Sequence, residues 1–241
     1  MRFKGGTCLR KCYFADYRFS EDLDFTAVAH IASEALMESV RHATRWAAEH
    51  DGPDFAAAAP RLEVVEDEYG SESYQVRVYY RGSLRWGGTP RAIRLDVTRD
   101  EALVLPATPR HLIHAYTDAD ALEQVELSCY ALEEILAEKI RAVSGQRRFA
   151  ISRDLYDIHR LVQAGVSVGK AVALLPAKFT ARGVDPAEAS VDRIWERRDA
   201  LEEDWMRRLG YLVTQANAVT FASAWQSTLA VLQQAQAGQG A

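Results

Sequence analysis

The sequence predicts an α+β chain, with strands and helices mixed over residues 1–124 and a helical C-terminal half over 125–241. Three observations carry this. Segments of strand-like alternation (RLEVVEDEY, SYQVRVYYR and RAIRLDVTR) are confined to the first hundred residues. From about residue 125 the apolar residues recur at helical spacing instead, with Gly- and Pro-containing breaks near 145, 165–169 and 183–186. A length of 241 residues at 48% hydrophobic and 26% charged is ordinary globular composition, sufficient for a substantial core.

Each element follows from local pattern. RFK reads as a short strand ended by the turn Gly5-Gly6-Thr7, and TCLRKCYFA reads as a helix with Thr7 in the capping position. DLDFT reads as a strand whose alternation puts Asp22 and Asp24 on one side and Leu23 and Phe25 on the other. Val28, Ile31, Leu36, Val40 and Ala43 space out a helix over 28–49, and DGPDFAAAAP is a loop. The next two strands, joined by GSE, form a hairpin. In the strand over 91–99, Ile93, Leu95 and Val97 face the core, with Arg94, Asp96 and Thr98 opposite. His111 and His114 follow a proline and read as lying in or beside a short helix. In the second half, Leu132, Ile135, Leu136 and Val143 form one helical stripe, and Ile151, Leu155, Ile158 and Val162 another. The polar tail QQAQAGQGA reads as frayed.

Composition narrows the function. A formal net charge of −5 argues against a general nucleic-acid coating protein, although Arg141, Arg147, Arg148, Arg153 and Arg160 form a local arginine-rich segment suited to phosphates. No run of about 18 apolar residues could cross a membrane, and no leader pattern points to secretion, so a cytoplasmic location is expected. Cys8, Cys12 and Cys129 have no companions at zinc-ligand spacing and read as small hydrophobes in a reducing compartment. No GxSxG or GxxxxGK[ST] pattern is present.

The chemical candidates are few. Asp22 and Asp24 on one strand face could hold Mg²⁺, a hard cation that takes oxygen ligands, or they could be two solvated carboxylates. Asp96, on the polar side of its own strand, could face the same ion. Gly5 and Gly6 allow the backbone to approach a phosphate, though a plain tight turn has the same signature. Lys139 falls inside an apolar helix face, where it must snorkel or meet an anion. Asp154, against the edge of the following stripe, is its candidate partner, and Asp157 lies farther out.

In their order along nearly the whole chain, FKGGTCLRKCYFADYRFSEDLDF, IRLDVTRDE, YALEEILAEKIRAV and RRFAISRDLYDIHRLV resemble the motifs of the AbiEii/AbiGii-type nucleotidyltransferase toxins, which include the mycobacterial MenT toxins. These belong to the DNA polymerase β-like nucleotidyltransferase superfamily. The resemblance implies a polymerase β-like core with a small mixed sheet, followed by a helical domain that contributes Lys and Asp to the site. It also implies transfer of a nucleoside monophosphate from an NTP with Mg²⁺ or Mn²⁺, in several members onto the 3′ end of tRNA, and a cognate antitoxin. By position, Asp22, Asp24, Lys139 and Asp154 match the catalytic residues. Gly5, Gly6, Thr7, Ser20 and Lys139 match the nucleotide-binding set, and Asp22, Asp24 and Asp96 the metal ligands. Asp157 is a further candidate, and Arg147, Arg148 and Arg153 are candidates for gripping RNA. Nucleotidyl transfer to a protein hydroxyl, or a binding module without turnover, are the alternatives. Members often carry one or two helices before the KGGT strand, where this sequence has three residues before Lys4.

Overall fold

A computed structural model of the chain describes residues 1–50, 53–66, 72–82, 89–114, 122, 124–146, 151–185 and 190–239. Among the described residues there are seven strands, β1 (Arg2–Lys4), β2 (Asp22–Thr26), β3 (Arg61–Glu66), β4 (Glu72–Tyr80), β5 (Arg91–Thr98), β6 (Thr108–His111) and β7 (Glu126–Cys129). They form one mixed sheet in the order β3-β4-β5-β2-β1-β7-β6. The β2–β5 and β1–β7 pairs are parallel and the others antiparallel. This is the α+β class and the mixed sheet that the sequence and its resemblance predict.

Between β1 and β2 the chain makes α1 (Gly5–Cys8), which runs into a π-helical turn, Leu9–Tyr13, closed by Phe14 N–H donating to the Leu9 carbonyl at 2.8 Å. The second helix, α2 (Ser33–Glu49), starts five residues later than the pattern from Val28 suggests. Val28 is exposed, so it contributes nothing to the stripe that Leu36, Met37 and Val40 bury. The helical half comprises α3 (Leu132–Arg141), α4 (Arg153–Gln163), α5 (Val168–Thr180), α6 (Val191–Glu196), α7 (Arg198–Arg208) and α8 (Phe221–Gln239). Strand β7 precedes it, so the sheet takes residues beyond 125 that were expected to be helical. His111 ends strand β6 rather than lying by a helix. The tail continues α8 as far as Gln239, with Ala235 fully buried.

Two cores result. The smaller lies under α2, where Val76, Val78 and Val97 from β4 and β5 meet Leu36, Met37 and Val40. The larger joins Phe3, Leu9 and Cys129 at the sheet to the faces of α3, α4, α5 and α8. Strand alternation leaves the polar side chains of β2, β4 and β5 on the opposite sheet face from the α2 core.

Candidate active site

The pairing registers line up one polar row across four strands. Lys4 of β1 is opposite Asp24 of β2, Asp24 is beside Asp96 of β5, and Asp96 is opposite Gln75 of β4. One step away, Asp22 is beside Arg94. Gln75 Nε2 donates to Asp96 Oδ1 at 3.2 Å, and Arg94 Nε stands 2.7 Å from Asp22 Oδ1. Burial raises the pKa of Asp24, and repulsion from Asp96 and Asp22 adds to it against the pull of Lys4 and Lys139. Asp96 is likewise raised, by burial first and then by Asp22, against Gln75 and Arg94. Cations share this face, Lys4, Arg94 and Arg77 among them, yet burial and mutual repulsion still raise Asp24 and Asp96.

The residues fit a hard cation on one observation of this structure. Asp22 Oδ1 is buried and, although close to Arg94, receives no aligned hydrogen bond. An orphaned carboxylate oxygen beside two further carboxylates is the donor set that Mg²⁺ or Mn²⁺ takes. The three acids are not gathered into a closed cage. Among the described residues, the only group of three or more donor side chains with ligand atoms all within 4.8 Å is Cys8, Cys12 and Cys129.

The glycine turn is built against this face. Gly5 has φ +74°, and a Cβ there would lie 2.1 Å from Asp24 Oδ2. Glycine is therefore required twice, for its backbone angle and for the space Asp24 fills. At Gly6 a Cβ would lie 2.7 Å from Arg18 Nη2 and 2.9 Å from Ser20 Oγ, which places Ser20 against the turn. Thr7 is not the helix cap: α1 begins at Gly5, and the Thr7 hydroxyl donates to the Asp22 carbonyl, tying the turn to the acidic strand.

The helical half closes the other side. Lys139 Nζ, only 13% exposed, stands 2.7 Å from Asp154 Oδ1 and 2.8 Å from Asp157 Oδ2. Asp157 is the more deeply buried of the two, at 0% side-chain exposure, and lies inside the stripe rather than beyond it. Arg18 grips it through both carboxylate oxygens at 2.6 Å, and the Tyr17 hydroxyl donates to Oδ1 at 3.0 Å. Burial pushes the Asp157 carboxyl up, but Arg18 and then Lys139 outweigh it and hold the group well below its ordinary range. Sequence reasoning missed Arg18. The only signal was Asp157 itself, a carboxylate on a buried helix face that needs a cation.

A second buried network was also missed. Lys178, with no exposed side-chain surface, lies 3.0 Å from Glu134 and 3.2 Å from Glu138 and donates to the Ala102 carbonyl at 2.6 Å. Lys4 pairs with Glu138 at 3.2 Å, so the network reaches the acidic row. Of the arginines expected to grip RNA, Arg153 is half-buried at the start of α4, while Arg147 and Arg148 lie outside the described residues.

A carboxylate row on a mixed sheet, a glycine turn packed on it and a largely buried lysine from the helical half thus lie together. The AbiEii family of nucleotidyl transferase toxins, of type IV toxin–antitoxin systems, matches residues 1–231, and the chain belongs to it. Its fold is similar to that of MenT4, a nucleotidyltransferase toxin of Mycobacterium tuberculosis, at 24% identity and a TM-score of 0.62, with 98% of this chain and 77% of that one covered. Two Helicobacter pylori chains, the second of them JHP933, align at 17% and 16% identity with a TM-score of 0.54 each. They cover 99% and 98% of this chain and 87% and 84% of their own. No curated protein matches significantly. No helix among the described residues is long and apolar enough to cross a membrane.

Proposed function

We propose that the protein transfers a nucleoside monophosphate from an NTP onto an RNA hydroxyl, with the 3′ end of tRNA as acceptor, so that translation stops until a cognate antitoxin intervenes. The observation that carries this is the crowded row Asp22, Asp24 and Asp96, with Asp24 packed against Gly5. Asp22, Asp24 and Asp96 would hold Mg²⁺ or Mn²⁺, which when bound neutralises phosphate oxygens and lowers the pKa of the attacking hydroxyl. Gly5, Gly6 and Thr7 present backbone N–H groups to the triphosphate, with Ser20 beside them. Lys139 supplies positive charge to the β- and γ-phosphates. Asp154 and Asp157 are positioning residues, because they touch Lys139 and Arg18 rather than the open face. Arg153, with Arg147 and Arg148, supplies charge for the RNA backbone. The cytoplasm is the compartment where NTP and tRNA are available.

The test is incubation with total tRNA and each α-labelled NTP in Mg²⁺, comparing wild type with Asp22→Ala. Label on tRNA that disappears in the variant supports the reading. Label on protein alone moves the acceptor to a protein hydroxyl. NTP binding with no label on anything makes this a binding module.

A further inference from the structure

Cys8 and Cys12, four residues apart, meet the distant Cys129 in the larger core, behind the glycine turn. Cys8 lies one residue past Thr7 on α1, Cys12 is in the π-helical turn, and Cys129 on β7 is in register with Phe3 of β1 and Thr108 of β6. All three are buried, at 0%, 4% and 0% exposure, and all are free thiols. Their sulfur atoms all lie within 4.8 Å of one another.

We propose that Cys8, Cys12 and Cys129 form a three-thiolate site for a thiophilic divalent cation of the zinc class. Bonds of about 2.3 Å to a common ion put three sulfurs about 3.8–4.0 Å apart, so the cluster needs to contract by less than about 1 Å. A disulfide would use two sulfurs at about 2.0 Å and strand the third. Sulfur donors also separate this site from the acidic face, whose oxygens select hard cations. Charge decides the valence. Three thiolates and a divalent ion leave one negative charge, and the positive charge of Arg110 acts on both Cys12 and Cys129. Arg110 is exposed, so it offsets that charge from outside the core, and a monovalent ion would leave a larger surplus. The ion displaces the thiol protons as it binds, so uptake is coupled to proton release. Tyr13, beside Cys12, and Thr108, in register with Cys129, line a cavity of about 260 Å³ together with Arg110. Bound there, the ion clamps α1 and its turn to β7, fixing the base of the Gly5–Thr7 segment.

The test is anaerobic titration of the reduced, full-length protein with Co²⁺, followed by Zn²⁺. The expected result is one Co²⁺ per chain with thiolate-to-cobalt charge-transfer absorption, displaced by Zn²⁺, and a higher unfolding temperature with either metal. Cys8→Ala, Cys12→Ala and Cys129→Ala should each remove at least about a third of that absorption, one thiolate in three. Asp22→Ala should leave it unchanged. Arg110→Gln keeps all three thiols, guards against variants that fail to fold, and should weaken binding roughly tenfold. The proposal is overturned by folded, reduced protein that takes up no Co²⁺ at sulfur, by full absorption in Cys12→Ala, or by conversion of two thiols to a disulfide without metal uptake.

Discussion

The acidic row on the sheet and the ion clusters buried between sheet and helices use the same residue types to opposite effect. In the row, Asp22, Asp24 and Asp96 crowd together and the pKa values of Asp24 and Asp96 are raised. In the clusters, each carboxylate is matched by a cation, and Asp157 and Glu138 are held well below their ordinary range despite burial. A buried charge is tolerable only when paired, so the matched clusters hold the architecture together. The row is unmatched in the sense that burial and repulsion outweigh the nearby cations at Asp24 and Asp96, and it makes sense as a site completed from outside.

Substitutions should therefore separate activity from stability. Asp24→Asn removes a carboxylate from the unmatched row. Nucleotidyl transfer should fall on the order of 10³-fold, the equivalent of several kcal/mol of lost charge stabilisation. Stability should stay the same or rise by up to about 1 kcal/mol, because burial and repulsion from Asp96 and Asp22 disfavour this charge. Activity assays alongside urea unfolding measure both. Equal losses in the two would place Asp24 in the framework instead.

Asp157→Ala is the reverse case. It leaves Arg18 and Lys139 buried without their shared carboxylate, and unfolding should become easier by about 3–5 kcal/mol. The pH dependence carries the same sign. Asp157 and Glu138 have folded-state pKa values below their unfolded ones. The stability they contribute is complete above the ordinary carboxylate pKa of about 4, and is lost as pH falls through the folded values. Asp24 and Asp96, with raised values, disfavour the fold once ionised, and that penalty fades as pH falls toward the ordinary carboxylate range. The difference between wild type and Asp157→Ala should thus shrink in acid, as should any gain of Asp24→Asn. Unfolding curves at several pH values check both.

Gly5→Ala tests the contact between the two kinds of region. A left-handed backbone costs a non-glycine residue about 1–2 kcal/mol, and the new Cβ, 2.1 Å from Asp24 Oδ2, would push the carboxylate aside. Stability should drop by about 2 kcal/mol, with transfer reduced roughly tenfold by the displaced carboxylate. Thermal unfolding and the labelling assay read the two effects separately.

What the sequence disclosed was whatever depends on near neighbours. Asp22 and Asp24 could be placed on one strand face because alternation is local, and Lys139 stood out because its helix face is local, whereas Asp96 joins the two aspartates only through the parallel β2–β5 pairing. Arg18 and Asp157 are 139 positions apart, and nothing in YRFS announces that its arginine turns inward. Lys178 sits in a helix of ordinary appearance, and only the fold brings Glu134 and Glu138 of α3 to it. Strands β6 and β7, four residues each, are too short for alternation to show. Missing β7 also hid the meeting of Cys129 with Cys8 and Cys12, which depends on the parallel pairing with β1.

Arg94 separates the two regions most finely. It stands 2.7 Å from Asp22 but is 45% exposed, so the pair is a surface contact and not a framework one. Exposed pairs contribute about 0–1 kcal/mol, and Arg94→Gln should change stability by no more than that. The substitution also removes a cation from beside Asp22 Oδ1, so Mn²⁺ should bind the protein more tightly, by a few-fold. Titration followed by the electron paramagnetic resonance of free Mn²⁺ measures this without any turnover. If Arg94→Gln instead destabilised the fold by several kcal/mol and left Mn²⁺ affinity unchanged, Asp22 would belong with the matched clusters, and the acidic row would shrink to Asp24 and Asp96.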